Sequence, residues 1–178
     1  TALVTVMHSN NETGVIQPVE ELARLAHAVG ALAHTDAAQS LGKVRVNVRE
    51  LDVDLLSMAG HKLYAPKGVG ALYVKRGTPL LPFVLGAGHE RGLRPGTENV
   101  AFIAGLGVAC DAMGRDLDAA SARMRDRRDA LWHALAAGVA ALGLARLYRA
   151  MRAPAASRAV ATVSSGAVLK AAARELVE

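Results

Sequence analysis

Aromatic side chains are scarce in this chain. Trp132, two Phe and three Tyr amount to 3% of 178 residues, although 52% of the residues are hydrophobic. The apolar content therefore comes from Ala, Val and Leu, which suits packed helices and parallel strands and excludes disordered and collagen-like classes. A single cysteine, Cys110, excludes internal disulfides and cysteine-built zinc sites, so a reducing compartment, the cytoplasm, is expected. No uninterrupted apolar run approaches the roughly 18 residues of a membrane span. Nor does a basic segment followed by an apolar one and a small-residue cleavage site open the chain, so neither membrane association nor secretion is expected. A mass of 18.5 kDa corresponds to one domain or slightly more.

What charge there is lies unevenly. Residues 1–110 hold 10 basic and 9 acidic side chains, whereas residues 111–178 hold 11 and 7, which is most of the net +5. The arginines of Arg123-Met-Arg-Asp-Arg-Arg-Asp129 alternate with acids, and almost no aromatic is available for base stacking. That pattern reads as a solvated helical face rather than a nucleic-acid surface.

Short apolar runs alternate with helical patterns through the first half. Ala2–Met7 reads as a strand, Pro18 opens a helix with Leu22, Leu25, Ala26 and Val29 on one face, and Gly30 stops it. Ala31–Thr35, Val53–Met58 and Gly70–Val74 read as further strands, and Val100–Met113 and Ser121–Val139 as long helices. Val160–Ser164 and Leu169–Val177 suggest a strand and helix that begin a second unit. This rhythm predicts an α/β fold with a mostly parallel sheet flanked by helices, whose ligand lies at the carboxyl ends of the strands.

Common motifs fail one by one. Gly86-Ala-Gly-His-Glu-Arg-Gly92 is one residue too long for the dinucleotide fingerprint, and no Gly-Lys-Ser/Thr ends a phosphate loop. His89-Glu90 has Leu93 where a zinc protease needs its second histidine, the six histidines lack ligand spacing, and no Gly-x-Ser-x-Gly is present, so no metal is expected. What remains stands at strand ends: Asn10-Asn11-Glu12, His34-Thr35-Asp36 with Gln39, and Gly60-His61-Lys62. Taken singly these are cap, turn and surface residues. Together they offer an amine, a carboxylate and amides, the groups that pyridoxal phosphate needs for covalent attachment and for keeping its ring nitrogen protonated.

Four segments, Asn10–Gly14, His34–Lys43, Gly60–Gly70 and Gly88–Asn99, resemble in order the motifs of cysteine desulfurases, which are class V, fold-type I pyridoxal-phosphate enzymes. The wording Arg94-Pro-Gly-Thr-Glu-Asn99 and the residue before Gly60 are similar to the selenocysteine lyase branch. The resemblance implies that Lys62 holds the cofactor and moves the substrate α-proton, for which its amine must spend time neutral. It implies that Asp36 pairs with the ring nitrogen, Gln39 bonds the phenolic oxygen, Asn11 lies near that oxygen and the substrate carboxylate, and His61 lies on the phosphate side. Thr97 is similar to a threonine that reaches the phosphate of the neighbouring subunit, implying a homodimer, and Arg94 is a candidate for binding substrate in the same loop.

The resemblance further implies L-cysteine or L-selenocysteine as substrate, alanine as product, a sulfur-acceptor partner, and a setting such as iron–sulfur cluster assembly. It places residues 1–113 in the second half of the large cofactor-binding domain and 114–178 at the start of the small one, so that the chain reads as the middle of one about twice as long. Two departures stand out. Ala59 occupies the place of a phosphate-binding serine, for which Ser57, on the same strand face, is a substitute candidate. The family's mobile-loop cysteine has no counterpart, and Cys110, in an apolar helical pattern, reads as buried and structural. Another class V reaction, or a truncated partner that dimerises without turnover, are the rival readings.

Overall fold

The computed structural model describes residues 1–152. The four segments read as strands form one sheet: β1 (Leu3–Met7), β2 (Leu32–Asp36), β3 (Leu55–Ala59) and β4 (Gly70–Val74), in the order β1-β2-β3-β4. The first three run parallel, and β4 returns antiparallel to β3, with Ser57 opposite Leu72. The antiparallel turn is possible because ten residues join β3 to β4, too few for a helical crossover. Val160–Ser164 and Leu169–Val177 lie outside the described residues. The chain divides into two compact units, Thr1–Met124 and Arg125–Glu178, and the sheet belongs to the first.

Helix α1 (Val19–Ala28) connects β1 to β2 and packs on one sheet face. Of the expected Leu22–Leu25–Ala26–Val29 face, only Ala26 is buried and Leu22 half-buried. Val19, Ala23 and Ala26 are buried, whereas Leu25 and Val29 are 49% and 73% exposed. Two alanines at i and i+3 let the helix approach the strands closely, and the core they close contains Ala33, Val53 and Leu56. Gly30 ends the helix as expected: the Gly30 and Ala31 N–H groups return to the His27 and Ala26 carbonyls. A one-turn helix, α2 (Val48–Leu51), is too short for periodicity to show. Its cap is legible, since Asn47 accepts from the Arg49 N–H and donates to Glu50.

The amino-terminal edge of the sheet is closed by charge. Asp54 Oδ2 accepts from the Ala33 N–H (2.9 Å) and pairs with His27 Nε2 (2.8 Å), while Lys75 holds Asp52 at 2.7 Å. Burial pushes the Asp54 carboxyl up, but the Ala33 N–H and His27 outweigh it and hold the group below its ordinary range.

Helix α3 (Val100–Arg152) is continuous where two helices were expected. Residues 114–120 contain one glycine and no proline, and a helical glycine costs only about 1 kcal/mol relative to alanine, too little to break the run. Within Val100–Arg149 an 18-residue stretch reaches a mean hydropathy of 1.5, so by length and composition this helix is apolar enough to cross a membrane. The stretch is not an uninterrupted apolar run, since His133, Gly138, Gly143 and Arg146 break it. Cys110 is half-buried on this helix rather than buried.

Candidate active site

The parallel strands end side by side, which gathers the polar segments expected there. Met7, the last residue of β1, is in register with Asp36, the last of β2, and Asp36 with Ser57; the strands lie about 4.8 Å apart, and β3 runs two residues further, to Ala59. Asn11, Asp36, Gln39, His61 and Lys62 all leave from this edge.

Each segment is fixed by the one beside it. The loop after β1 is shaped by Asn10, whose carbonyl oxygen accepts from the Glu12 and Thr13 N–H groups at 2.9 Å. It is tied to the β2 end in two ways: the His8 N–H donates to the Asp36 carbonyl (2.8 Å), and the Ser40 hydroxyl bonds both His8 Nδ1 (2.7 Å) and the Ser9 hydroxyl (2.5 Å). His8 and Ser40 are buried, and burial lowers the imidazole below its ordinary value, so the ring is neutral near neutrality. Asn11, on this loop, is exposed and its amide has no partner among the described residues.

After β2 the chain forms a tight turn. The Ala37 N–H reaches the Ser57 carbonyl, Ser40 and Leu41 N–H groups close on the Ala37 carbonyl, and Asp36 Oδ1 accepts from the Ala38 N–H at 2.8 Å. The other Asp36 oxygen and the half-buried Gln39 amide are uncommitted among the described residues. This turn abuts the one after β3: a Cβ on Gly42 would stand 2.7 Å from Leu63 Cδ2.

Lys62 sits in that third segment, a 3-10 turn at Gly60–Leu63 anchored by buried Leu63. Gly60 is required there, because a Cβ would lie 2.7 Å from the Val69 carbonyl oxygen, the group that accepts the Gly60 N–H across the β3–β4 turn. Lys62 is half-buried, and its amine has no hydrogen-bond or ion-pair partner among the described residues; His61 beside it is exposed. Lys43 faces it closely enough that burial, and then the Lys62 charge, lower the Lys43 amine below its ordinary value.

Thr97 and Arg94 stand elsewhere, in the segment leading into α3. Arg94 Nη1 donates to the carbonyls of Pro95 (3.1 Å) and Gly96 (2.7 Å), so its guanidinium also braces its own loop. Arg94 lines a cavity of about 780 Å3 with Gly70, Leu72, Phe102 and Ile103, and Gly70 pairs with Ala59 at the end of β3. Among the described residues no hydrogen bond or ion pair joins Arg94 or Thr97 to the other five.

Sequence reasoning missed the residues that hold the site from below. Ser57 does not stand free to replace the serine missing at Ala59; its hydroxyl bonds His34 Nε2 at 2.8 Å. His34, two residues before Asp36, was readable only as part of the segment around Asp36, and its alternation with Asp36 on one strand face was the available signal. Cys110 is held protonated: burial, then the neighbouring Asp111, raise its thiol.

An unpartnered amine, one uncommitted carboxylate oxygen and two free amides at a basic strand-end edge fit a ligand with an aldehyde, a basic ring nitrogen and an anionic group. Pyridoxal phosphate has these features.

The model of the aminotransferase class-V family matches residues 1–177. The chain is 53% identical over 131 residues to a cysteine desulfurase of Gluconacetobacter diazotrophicus, covering 74% of this chain and 33% of that protein. It is 51% identical over 150 residues to the selenocysteine lyase of Bos taurus, covering 77% and 34%. Among solved structures, a NifS-like protein superimposes with a TM-score of 0.72 at 41% identity, covering 76% of this chain and 38% of that one. The chain thus spans about a third of the length of the curated relatives it matches.

Proposed function

Because the chain belongs to the aminotransferase class-V family, we propose that the whole protein is a pyridoxal-phosphate-dependent cysteine desulfurase. It converts L-cysteine to L-alanine: the substrate C–S bond breaks, an S–S bond forms on an acceptor thiol, and the sulfur leaves as a persulfide. The observation that carries this reading is the unpartnered Lys62 amine at the strand end beside Asp36, with two amides free around them.

When bound, the cofactor supplies a sink for the electron pair left at the substrate Cα. Lys62 would hold it covalently and move the α-proton. Asp36 keeps one oxygen on the Ala38 N–H and offers the other to the ring nitrogen's proton. Gln39 would donate to the phenolic oxygen, Asn11 to that oxygen and the substrate carboxylate, and His61 would serve the phosphate. Thr97 would reach a phosphate across a homodimer, and Arg94 would bind substrate from the same loop. Residues 1–113 complete the cofactor-binding domain in this reading, and 114–178 begin the smaller one.

L-Selenocysteine is the second reading, favoured by the 51% identity to a selenocysteine lyase. The test uses the full-length protein. Borohydride reduction with pyridoxal phosphate labels Lys62, and L-cysteine with a thiol gives alanine and sulfide in equal amounts. Label on a different lysine overturns the reading, and kcat/KM for the two substrates chooses between them.

A further inference from the structure

One hydrogen-bonded row lies directly beside Asp36 and has no part in the roles above. Thr5 Oγ1 is 2.6 Å from His34 Nδ1, and Ser57 Oγ is 2.8 Å from His34 Nε2. Thr5 is opposite His34 in the β1–β2 register, while Ser57 is opposite Asp36 and so diagonal to His34. One imidazole, through its two opposed nitrogens, thus ties β1 to β3 across β2. His34 and Asp36, two residues apart on a strand, share the same face.

The row commits both ring nitrogens. A hydroxyl donates or accepts, so in either tautomer the imidazole N–H gives to one hydroxyl and the bare nitrogen takes from the other. Turning toward Asp36 would cost His34 one of these bonds. Burial lowers the imidazole below its ordinary value, and the Asp36 charge pulls the other way without prevailing. On the flanking strands the residues of this face are Leu3 and Met7, and Leu55 and Ala59, none of which titrates. Asp36 is therefore the one titratable group of these three strands that faces His34.

A His34 freed from its hydroxyls would meet a carboxylate two residues along the same strand face. It would take a proton and pair with Asp36, competing with any cationic ring nitrogen for the same oxygen. We propose that Thr5 and Ser57 are positioning residues: by clamping His34 at both nitrogens they hold it off Asp36 and reserve the second carboxylate oxygen for the cofactor's ring-nitrogen proton. This inference rests on the role assigned to Asp36 above.

The experiment uses the full-length holoenzyme reconstituted with cofactor carrying 15N at its ring nitrogen, and reads by NMR the pH midpoint at which that nitrogen loses its proton. Thr5→Val with Ser57→Ala lowers the midpoint by about one pH unit, the scale of a competing ion pair. Adding His34→Leu to that pair removes the competitor and returns the midpoint to the wild-type value. If the hydroxyls matter only for packing, the triple variant stays as impaired as the double one, and the proposal falls; it falls equally if the double variant does not move the midpoint. Should the double variant fold poorly, Thr5→Val alone, at an exposed strand position, must move the midpoint in the same direction, and no movement overturns the proposal. Asp36→Asn separates the two levels: a midpoint unchanged in that variant refutes the role of Asp36 itself, whereas a large fall there with none in Thr5→Val/Ser57→Ala refutes only the clamp.

Discussion

Replacing Ser40 by alanine tests how the loop that carries Asn11 is held to the turn that carries Asp36 and Gln39. The Ser40 hydroxyl is buried and serves two partners, His8 Nδ1 at 2.7 Å and the Ser9 hydroxyl at 2.5 Å. Ser9 is half-exposed and can turn to water, so its share is small. His8 is 5% exposed, and its Nδ1 would be left without a partner. A buried unsatisfied polar atom costs about 1–3 kcal/mol, which puts Ser40→Ala near 2 kcal/mol against local opening of residues 8–17. Hydrogen exchange of the full-length protein reads this directly, because the Asn10 and Gln17 N–H groups donate to the Val15 and His8 carbonyls of the same loop. Their protection falls by about thirtyfold in Ser40→Ala and by no more than about threefold in Ser9→Ala, which leaves the His8 bond intact. Because His8 is held below its ordinary value in the folded protein, the unfolded chain binds more protons in acid. The loop is therefore at full strength above about pH 6.5 and weakens as pH falls through the lowered folded-state value. Equal exchange in Ser40→Ala and wild type, or equal loss in both variants, would refute the tether.

Three further outcomes are expected. Gly60→Ala forces a Cβ to 2.7 Å from the Val69 carbonyl, which cannot retreat without breaking the β3–β4 turn; a loss of about 1–3 kcal/mol in denaturant unfolding and weaker retention of pyridoxal phosphate check it. Lys62→Ala abolishes borohydride labelling at that position and, in the cofactor-free protein, removes the cation that helps depress Lys43, so the Lys43 amine titrates at higher pH by NMR of methylated lysines. In the full-length protein, on the proposed reading, Cys110→Ser leaves desulfurase turnover within about twofold of wild type, since a thiol raised by burial and by Asp111 is a poor sulfur carrier.

Much of the fold was legible in the chain itself. Strand and turn patterns placed four strands within two residues of their observed starts and ends, because apolar runs bounded by Gly, Pro and polar clusters leave few alternatives. The same patterns put Asn11, Asp36, Gln39, His61 and Lys62 at strand ends, and parallel pairing then had to bring those ends together. Tertiary structure decided what periodicity does not encode. The buried face of α1 is its alanine face because helix and sheet approach closely, not because its leucines are most apolar. Helix α3 continues through Gly114 because one glycine costs less than a break. Above all, the supports of the site are cross-strand contacts, Ser40 with His8 over 32 residues of chain and His34 with Thr5 and Ser57 over 29 and 23. Such partners are chosen by register, and register is set only when the sheet assembles.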